Sequence, residues 1–158
     1  MMTMTKKILG AGLAALIFAL IVYSFPSHPL MPAIEAQTGP RLLATHAPAV
    51  NTQATASVAA NATRTIVADC IIATYTAGTA APAATVVGLN LRDGATGAGT
   101  VLWAVTMAAP AAAGTMSPVV QLCGLNIWGT PNTAMTLEFN AAGGANTFES
   151  VALRAHYL

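Results

Sequence analysis

Thr85 to Met107 reads T-V-V-G-L-N-L-R-D-G-A-T-G-A-G-T-V-L-W-A-V-T-M. Two apolar-rich runs flank a segment of Gly, Asp, Thr and Ala, which is the pattern of a β-hairpin. In the first run Val87, Leu89 and Leu91 alternate with Gly88, Asn90 and Arg92. A strand turns successive side chains to opposite faces, so the aliphatics point inward and Asn90 and Arg92 outward. In the second run Val101, Trp103 and Val105 oppose Leu102, Ala104 and Thr106. The connection Asp93–Gly99 is longer than the tightest hairpin loops, and its glycines supply positive φ. Burying the Trp103 ring would contribute several kcal/mol, at about 25 cal/mol per Å2 over roughly 150–250 Å2.

The same grammar repeats on both sides. Thr63 to Thr76, T-R-T-I-V-A-D-C-I-I-A-T-Y-T, is rich in β-branched residues. Strict alternation places Ile66, Ala68, Cys70 and Ile72 on one face and Val67, Asp69, Ile71 and Tyr75 on the other. A strand follows over Val119 to Trp128, with Gly124 as a candidate bulge. In Ala134 to Asn140, Met135, Leu137 and Phe139 alternate with Ala134, Thr136 and Glu138. From Thr147 to Leu158, Val151, Leu153, Ala155 and Tyr157 oppose Ser150, Ala152, Arg154 and His156. Pro110, Gly114 and Pro118 argue against a helix in the alanine-rich stretch between the hairpin and Val119. About six short strands with turn signals between them predict an all-β domain over residues 62–158, an antiparallel β-sandwich or a jelly-roll-like fold.

The N-terminal third differs. Lys6 and Lys7 precede an uninterrupted apolar run from Ile8 to Phe25, and Pro26 ends it. Residues 1–26 therefore read as a signal peptide or a membrane anchor helix, with 8–25 the apolar core. Residues 27–61 carry prolines among Ala, Thr and Ser and read as a linker or extended arm, with a short strand an alternative over Thr45 to Ala60. The chain is thus expected to be exported, at a cell surface or in a virion, and in contact with a membrane if residues 8–25 are retained.

Charge is scarce throughout. Charged residues make up 7% of the 158 residues, against roughly 25% in an ordinary soluble domain. Nothing concentrates positive charge on one face, which argues against a nucleic-acid partner. A surface with so little charge is poorly protected against self-association, so the expected partners are copies of the chain or other structural subunits.

No catalytic constellation is visible. The histidines His28, His46 and His156 match no hydrolase or metal spacing and read as solvated or interface residues. Glu138 and Glu149 would be neighbours only if their strands pair, and pairing of Arg154 with one of them is the ordinary expectation. Asn90 and Asp93 are candidate oxygen ligands for a cation, with turn formation the plainer role. Asn61-Ala62-Thr63 matches a glycosylation sequon. No enzyme activity, cofactor or metal is expected. Cys70 and Cys123 form a disulfide in an exported chain or remain buried thiols. Closing their loop would stabilise by roughly 4 kcal/mol in the chain-entropy model. Trp103, Trp128, Met135, Leu137, Phe139 and Tyr157 are the candidate core or interface anchors.

The segments L-N-L-R-D-G-A-T-G-A-G-T-V-L-W (Leu89 to Trp103) and A-M-T-L-E-F-N-A-A-G-G-A-N-T-F-E-S-V (Ala134 to Val151) resemble small β-sandwich structural proteins of bacteriophages, of the decoration, fibre and tail type. The resemblance spans residues 64–158 and rests on turn and core patterns. It implies an oligomeric structural subunit. The apolar leader departs from that pattern and points to a virus with a membrane or to a cell-surface protein. A surface-anchored or secreted binding module for a glycan or cell-surface ligand is the alternative, and it requires an exposed aromatic beside polar side chains, with Trp128 the candidate.

Overall fold

The computed structural model describes residues 41–83 and 86–158. The apolar run over 8–25, the cleavage or anchoring of residues 1–26, and His28 lie outside the described residues. Among the described residues there are eight strands and no helix: β1 (Arg41–His46), β2 (Thr55–Val58), β3 (Ile66–Ala77), β4 (Val86–Asp93), β5 (Thr100–Ala108), β6 (Val120–Trp128), β7 (Met135–Phe139) and β8 (Thr147–Tyr157). They form two four-stranded sheets of order β1-β8-β3-β6 and β2-β7-β4-β5. Every paired strand in both sheets runs antiparallel to its neighbour. Only β4 and β5 are consecutive strands joined within one sheet, and every other connection passes from one sheet to the other.

Both sheets feed one buried cluster, which makes the arrangement sandwich-like. Ile66, Ala68, Ile71, Tyr75, Val151 and Leu153 come from one sheet, and Leu89, Leu91, Met135, Leu137 and Phe139 from the other. The rings of Tyr75 (β3) and Phe139 (β7) meet across the layers with centroids 6.0 Å apart. At Gly143 any side chain would run into the Tyr75 ring. The Tyr75 hydroxyl donates to the Gly143 carbonyl at 2.9 Å, so the β7–β8 connection closes directly over that ring.

Three features differ from the sequence reading. Residues 27–61 are not all linker, since β1 lies inside that range and β2 falls within the Thr45 to Ala60 stretch given the alternative reading of a short strand. Both are short, and β1 shows only a half-buried alternation, so it carries no run of apolar residues long enough to stand out from proline- and alanine-rich surroundings.

In β3 the faces do not alternate throughout. The register shifts between Ala68 and Cys70, against both β6 and β8. Asp69 is the extra residue against β8, and a bulge of this kind moves every later side chain to the opposite face. The core face is therefore Ile66 and Ala68 before the bulge, then Ile71, Ala73 and Tyr75 after it. Gly124, with φ of 75°, sits on the β6 side of the same irregularity.

A second shift, between Leu91 and Arg92, sets Trp103 opposite Leu91 and Val101 opposite Arg92. Trp103 and Val105 stay on the core side, packed against the buried cluster. Val101 turns out and is 43% exposed. Gly99, at φ 80°, makes this hairpin possible, because a side chain there would collide with the Asp93 carbonyl.

Candidate functional site

The hairpin loop does not stand free. Glu138 lies on the outer face of β7 and is buried. Its Oε1 accepts from Arg92 Nε and its Oε2 accepts from the Gly97 amide at 2.9 Å. The Thr136 hydroxyl, two residues earlier on the same face, donates to the Gly94 carbonyl at 2.7 Å. The Asp93–Gly99 connection is thereby folded back over β7. Arg154 takes no part in this, and the cross-strand partner of Glu138 is Arg92 instead. Glu138 and Glu149 sit in different sheets, because β7 pairs with β2 and β4 while β8 pairs with β1 and β3. Asp93 is also committed: both of its carboxylate oxygens accept from Thr130, through the amide at 3.0 Å and the hydroxyl. Asp93 therefore ties the hairpin loop to the turn after β6. Among the described residues no three His, Cys, Asp or Glu side chains converge as metal ligands would.

Glu149 lies on the core face of β8, directly opposite Tyr75 in β3. It is buried, Oε2 accepts from the Ala54 amide at 2.9 Å, and Oε1 has no hydrogen-bond partner. Burial pushes its carboxyl above the usual carboxylate range. The N–H groups of Ala54 and of Gly143, the latter outside hydrogen-bond geometry, pull the other way. Burial, with the nearby Glu149 carboxyl, also raises the Tyr75 phenol. The sequence carried a signal for this buried acid, since Glu149 shares its strand parity with Val151, Leu153 and Ala155.

The outer face of the β1-β8-β3-β6 sheet holds the other polar group. His156 is buried and its Nδ1 lies 2.9 and 3.0 Å from the two Asp69 oxygens. A carboxylate only accepts, so Nδ1 carries the proton. His156 is thus held in place by the bulge residue and is not a solvated side chain. The register places Arg41, His156, Val67 and Trp128 in one row across the four strands, and Arg154 beside them, opposite Leu43 and Cys70. Cys70 and Cys123, directly opposed in β3 and β6, are joined by a disulfide on this face. His46 sits elsewhere, its Nδ1 accepting from the Thr55 amide at 3.0 Å.

The anchor candidates separate by position. Met135, Leu137 and Phe139 are fully buried. Trp103 and Tyr157 are half-buried against the core, and the Tyr157 hydroxyl donates to the Ala59 carbonyl at 2.8 Å. Trp128 is outside the core, 55% exposed, with its indole N–H donating to Asn126 Oδ1 at 3.0 Å. Asn61 Oδ1 of the sequon accepts from the Thr63 amide and hydroxyl, which makes a local turn.

The two sheets close unevenly. The edge strands β1 and β2 lie against each other on one flank. On the opposite flank β5 and β6 are the edges. There Leu122, paired with the fully buried Ile71 and on the core side of β6, is still 41% exposed. Val119 and Val101 are exposed on the same flank. Neither T-V-L-W-A-V-T-M-A (β5) nor V-Q-L-C-G-L-N-I-W (β6) contains a charged residue.

No protein-family model matches the chain, and no curated protein or solved structure matches it.

Proposed function

We propose that the chain is a structural subunit of a virion or of an extracellular, cell-surface assembly, joined to further copies through the flank formed by β5 and β6. The observation that carries this is the uncharged double edge. Natural sheets guard free edges with Lys, Pro or inward charges, because unpaired N–H and C=O groups recruit other strands. Here two edge strands lack any charge, and a core-side leucine between them is left partly in water. A neighbouring subunit would cover Leu122 and Val101 and complete the hydrogen bonding of an edge.

The strand order supports the same reading. Sheets β1-β8-β3-β6 and β2-β7-β4-β5, with crossing connections, follow the winding of an eight-stranded jelly roll, an architecture used for assembling shells. The Cys70–Cys123 disulfide suits an oxidising compartment. Residues 8–25 would act as the export signal or membrane anchor. The core positions Met135, Leu137 and Phe139 act as scaffold, and no residue acts as a reagent.

Sedimentation of the full chain in a neutral detergent tests the proposal. A defined oligomer is expected, and Leu122→Lys should dissociate it while the melting temperature of the subunit changes little. A monomer at the highest soluble concentration would overturn the reading.

A further inference from the structure

The β1–β2, β3–β4, β5–β6 and β7–β8 connections gather at one end of the sandwich, where the amides of Asn51, Ala77 and Gly78 donate to the carbonyls of Thr147, Thr115 and Asn146. Residues 47–60, 77–88, 107–121 and 139–148 contain no Asp, Glu, Lys, Arg or His. The nearest carboxylate and imidazole are turned inward. Glu149 is buried and takes the Ala54 amide, and His46 Nδ1 takes the Thr55 amide. The exposed arginines Arg41, Arg64 and Arg154 lie towards the opposite end, at which the β2–β3, β4–β5 and β6–β7 connections turn.

Large apolar side chains stand in water at this uncharged end. Phe148 is 47% exposed and Met116 54%. They flank Thr76, which pairs with Phe148 on one side and bridges to Met116 on the other. At about 4.8 Å per strand, the two stand roughly 10 Å apart. Val50 and Val86 are exposed as well. Asn51, beside Val50, is bonded to Thr147, beside Phe148. Ala108, opposite Val86, accepts from the hydroxyl of Ser117, beside Met116. The four apolar residues are thus linked neighbours around one end, and such a patch marks a contact surface.

The polar groups of the same loops are used up internally. The Gly114 amide donates to the Gly78 carbonyl and the Ser117 amide to Tyr75. The hydroxyls of Thr115, Ser117 and Thr147 donate to the carbonyls of Ala112, Ala108 and Gly144. A protein partner makes directional hydrogen bonds around an apolar centre. A lipid surface offers its acyl chains no such bonds and penalises every polar group brought to it unpaired. Loops that bond their own polar groups and turn valine, methionine and phenylalanine outward match the second environment. We propose that this end of the sandwich is a lipid-binding tip, which places Val50, Val86, Met116 and Phe148 among the acyl chains at the surface of a bilayer. With no cation at the tip, the contact needs no anionic headgroup. It is separate from residues 8–25, since the described chain enters the sandwich at Arg41, at the opposite end. It does not rest on assembly through the β5–β6 flank.

The test reads the tip itself, so that insertion of residues 8–25 gives no signal. The full chain is reconstituted from neutral detergent into phosphatidylcholine vesicles and mixed with protein-free vesicles. Phosphatidylcholine with brominated acyl chains, which quenches tryptophan on contact, is placed first in one population and then in the other. Met116→Trp and Phe148→Trp should each add emission, over that of the parent chain, that is blue-shifted and lost to the brominated lipid in at least one arrangement. Adding phosphatidylglycerol should leave that loss unchanged. Val50→Ser with Phe148→Ser, built into the Met116→Trp chain, should remove most of it. Leu43→Trp, on the outer face of β1 away from this end, should show neither shift nor loss. Every substituted side chain is exposed, and circular dichroism of each variant checks that the fold persists. Absence of quenching in both arrangements would overturn the proposal. So would quenching that requires phosphatidylglycerol, or equal quenching of Leu43→Trp. A blue shift without quenching would show the end covered by another protein surface, and would overturn it too.

Discussion

Arg92 and Glu138 face the same outer surface of adjacent strands, and the Arg92 Nε–H donates to Glu138 Oε1 while the second carboxylate oxygen takes the Gly97 amide. One side chain therefore secures both a strand neighbour and the far end of a hairpin loop. Removing it leaves the mostly buried Arg92 without a counter-charge. Breaking a buried pair from one side typically costs about 3–5 kcal/mol, and partial exposure of Arg92 places Glu138→Ala near the lower end. Denaturant unfolding should register that loss. Hydrogen exchange at Gly97 should rise more than exchange at Leu89 or Leu137, because the loop loses its tether.

Glu149 gives the stability a pH dependence of definite sign. Its carboxyl is raised above the ordinary value of 4.5 by burial. A group whose folded pKa exceeds its unfolded one favours the fold while protonated, fully so below the unfolded value. That contribution is lost as pH rises through the folded value. Stability should therefore decline on the alkaline side of the normal carboxylate range, and Glu149→Gln should flatten the decline while keeping an acceptor for Ala54. Melting temperatures of the two proteins measured across that range check this. Parallel curves would rule it out.

Tyr75 fixes the requirement at Gly143. With the ring in contact with the Gly143 backbone, Gly143→Ala forces either the ring or the β7–β8 connection to move. Overpacking of this kind costs about 1–3 kcal/mol. Tyr75→Phe keeps the ring and removes only the bond to the Gly143 carbonyl, a smaller loss of about 1 kcal/mol. A chemical denaturation series of the two variants should rank them in that order.

Reduction should act mainly on β6. The disulfide closes a loop of 53 residues in sequence separation, for which chain entropy gives about 4 kcal/mol. The bond joins an outer edge strand to its only neighbour in the sheet. Cys123→Ser should lower the denaturation midpoint, with the earliest gain in hydrogen exchange over Val120–Trp128.

Much of the fold was legible because apolar alternation is strong in β4, β7 and β8: Leu89 and Leu91, Leu137 and Phe139, Val151 and Leu153 all lie in the core as their spacing predicts. β1 was hidden because a short strand held by its neighbours needs little apolar character of its own, whereas β2 falls inside the Thr45 to Ala60 stretch for which a short strand was the alternative. Bulges were the second blind spot. Nothing local at Asp69 or Leu102 announces an extra residue. The shift arises from pairing with distant strands, and it moved Val101 from the core side to solvent. The polar sites failed for a related reason. Arg92–Glu138 and Asp69–His156 are separated by 46 and 87 residues, and sequence alone does not say which strands become neighbours. Trp128 was the instructive case, since its size suggests a core and its position at the end of an edge strand leaves it outside.

The sheet order also bears on how the molecule is made. β7 and β8, the last two strands of the sandwich, occupy interior positions, β7 between β2 and β4 and β8 between β1 and β3. During synthesis from the N-terminus, β1 has nothing to pair with until Tyr157 has left the ribosome, and β2 waits for Phe139. Only the β4–β5 hairpin is a local pairing that can form early. Folding of the described strands is therefore dominated by contacts distant in sequence, a regime of milliseconds to seconds.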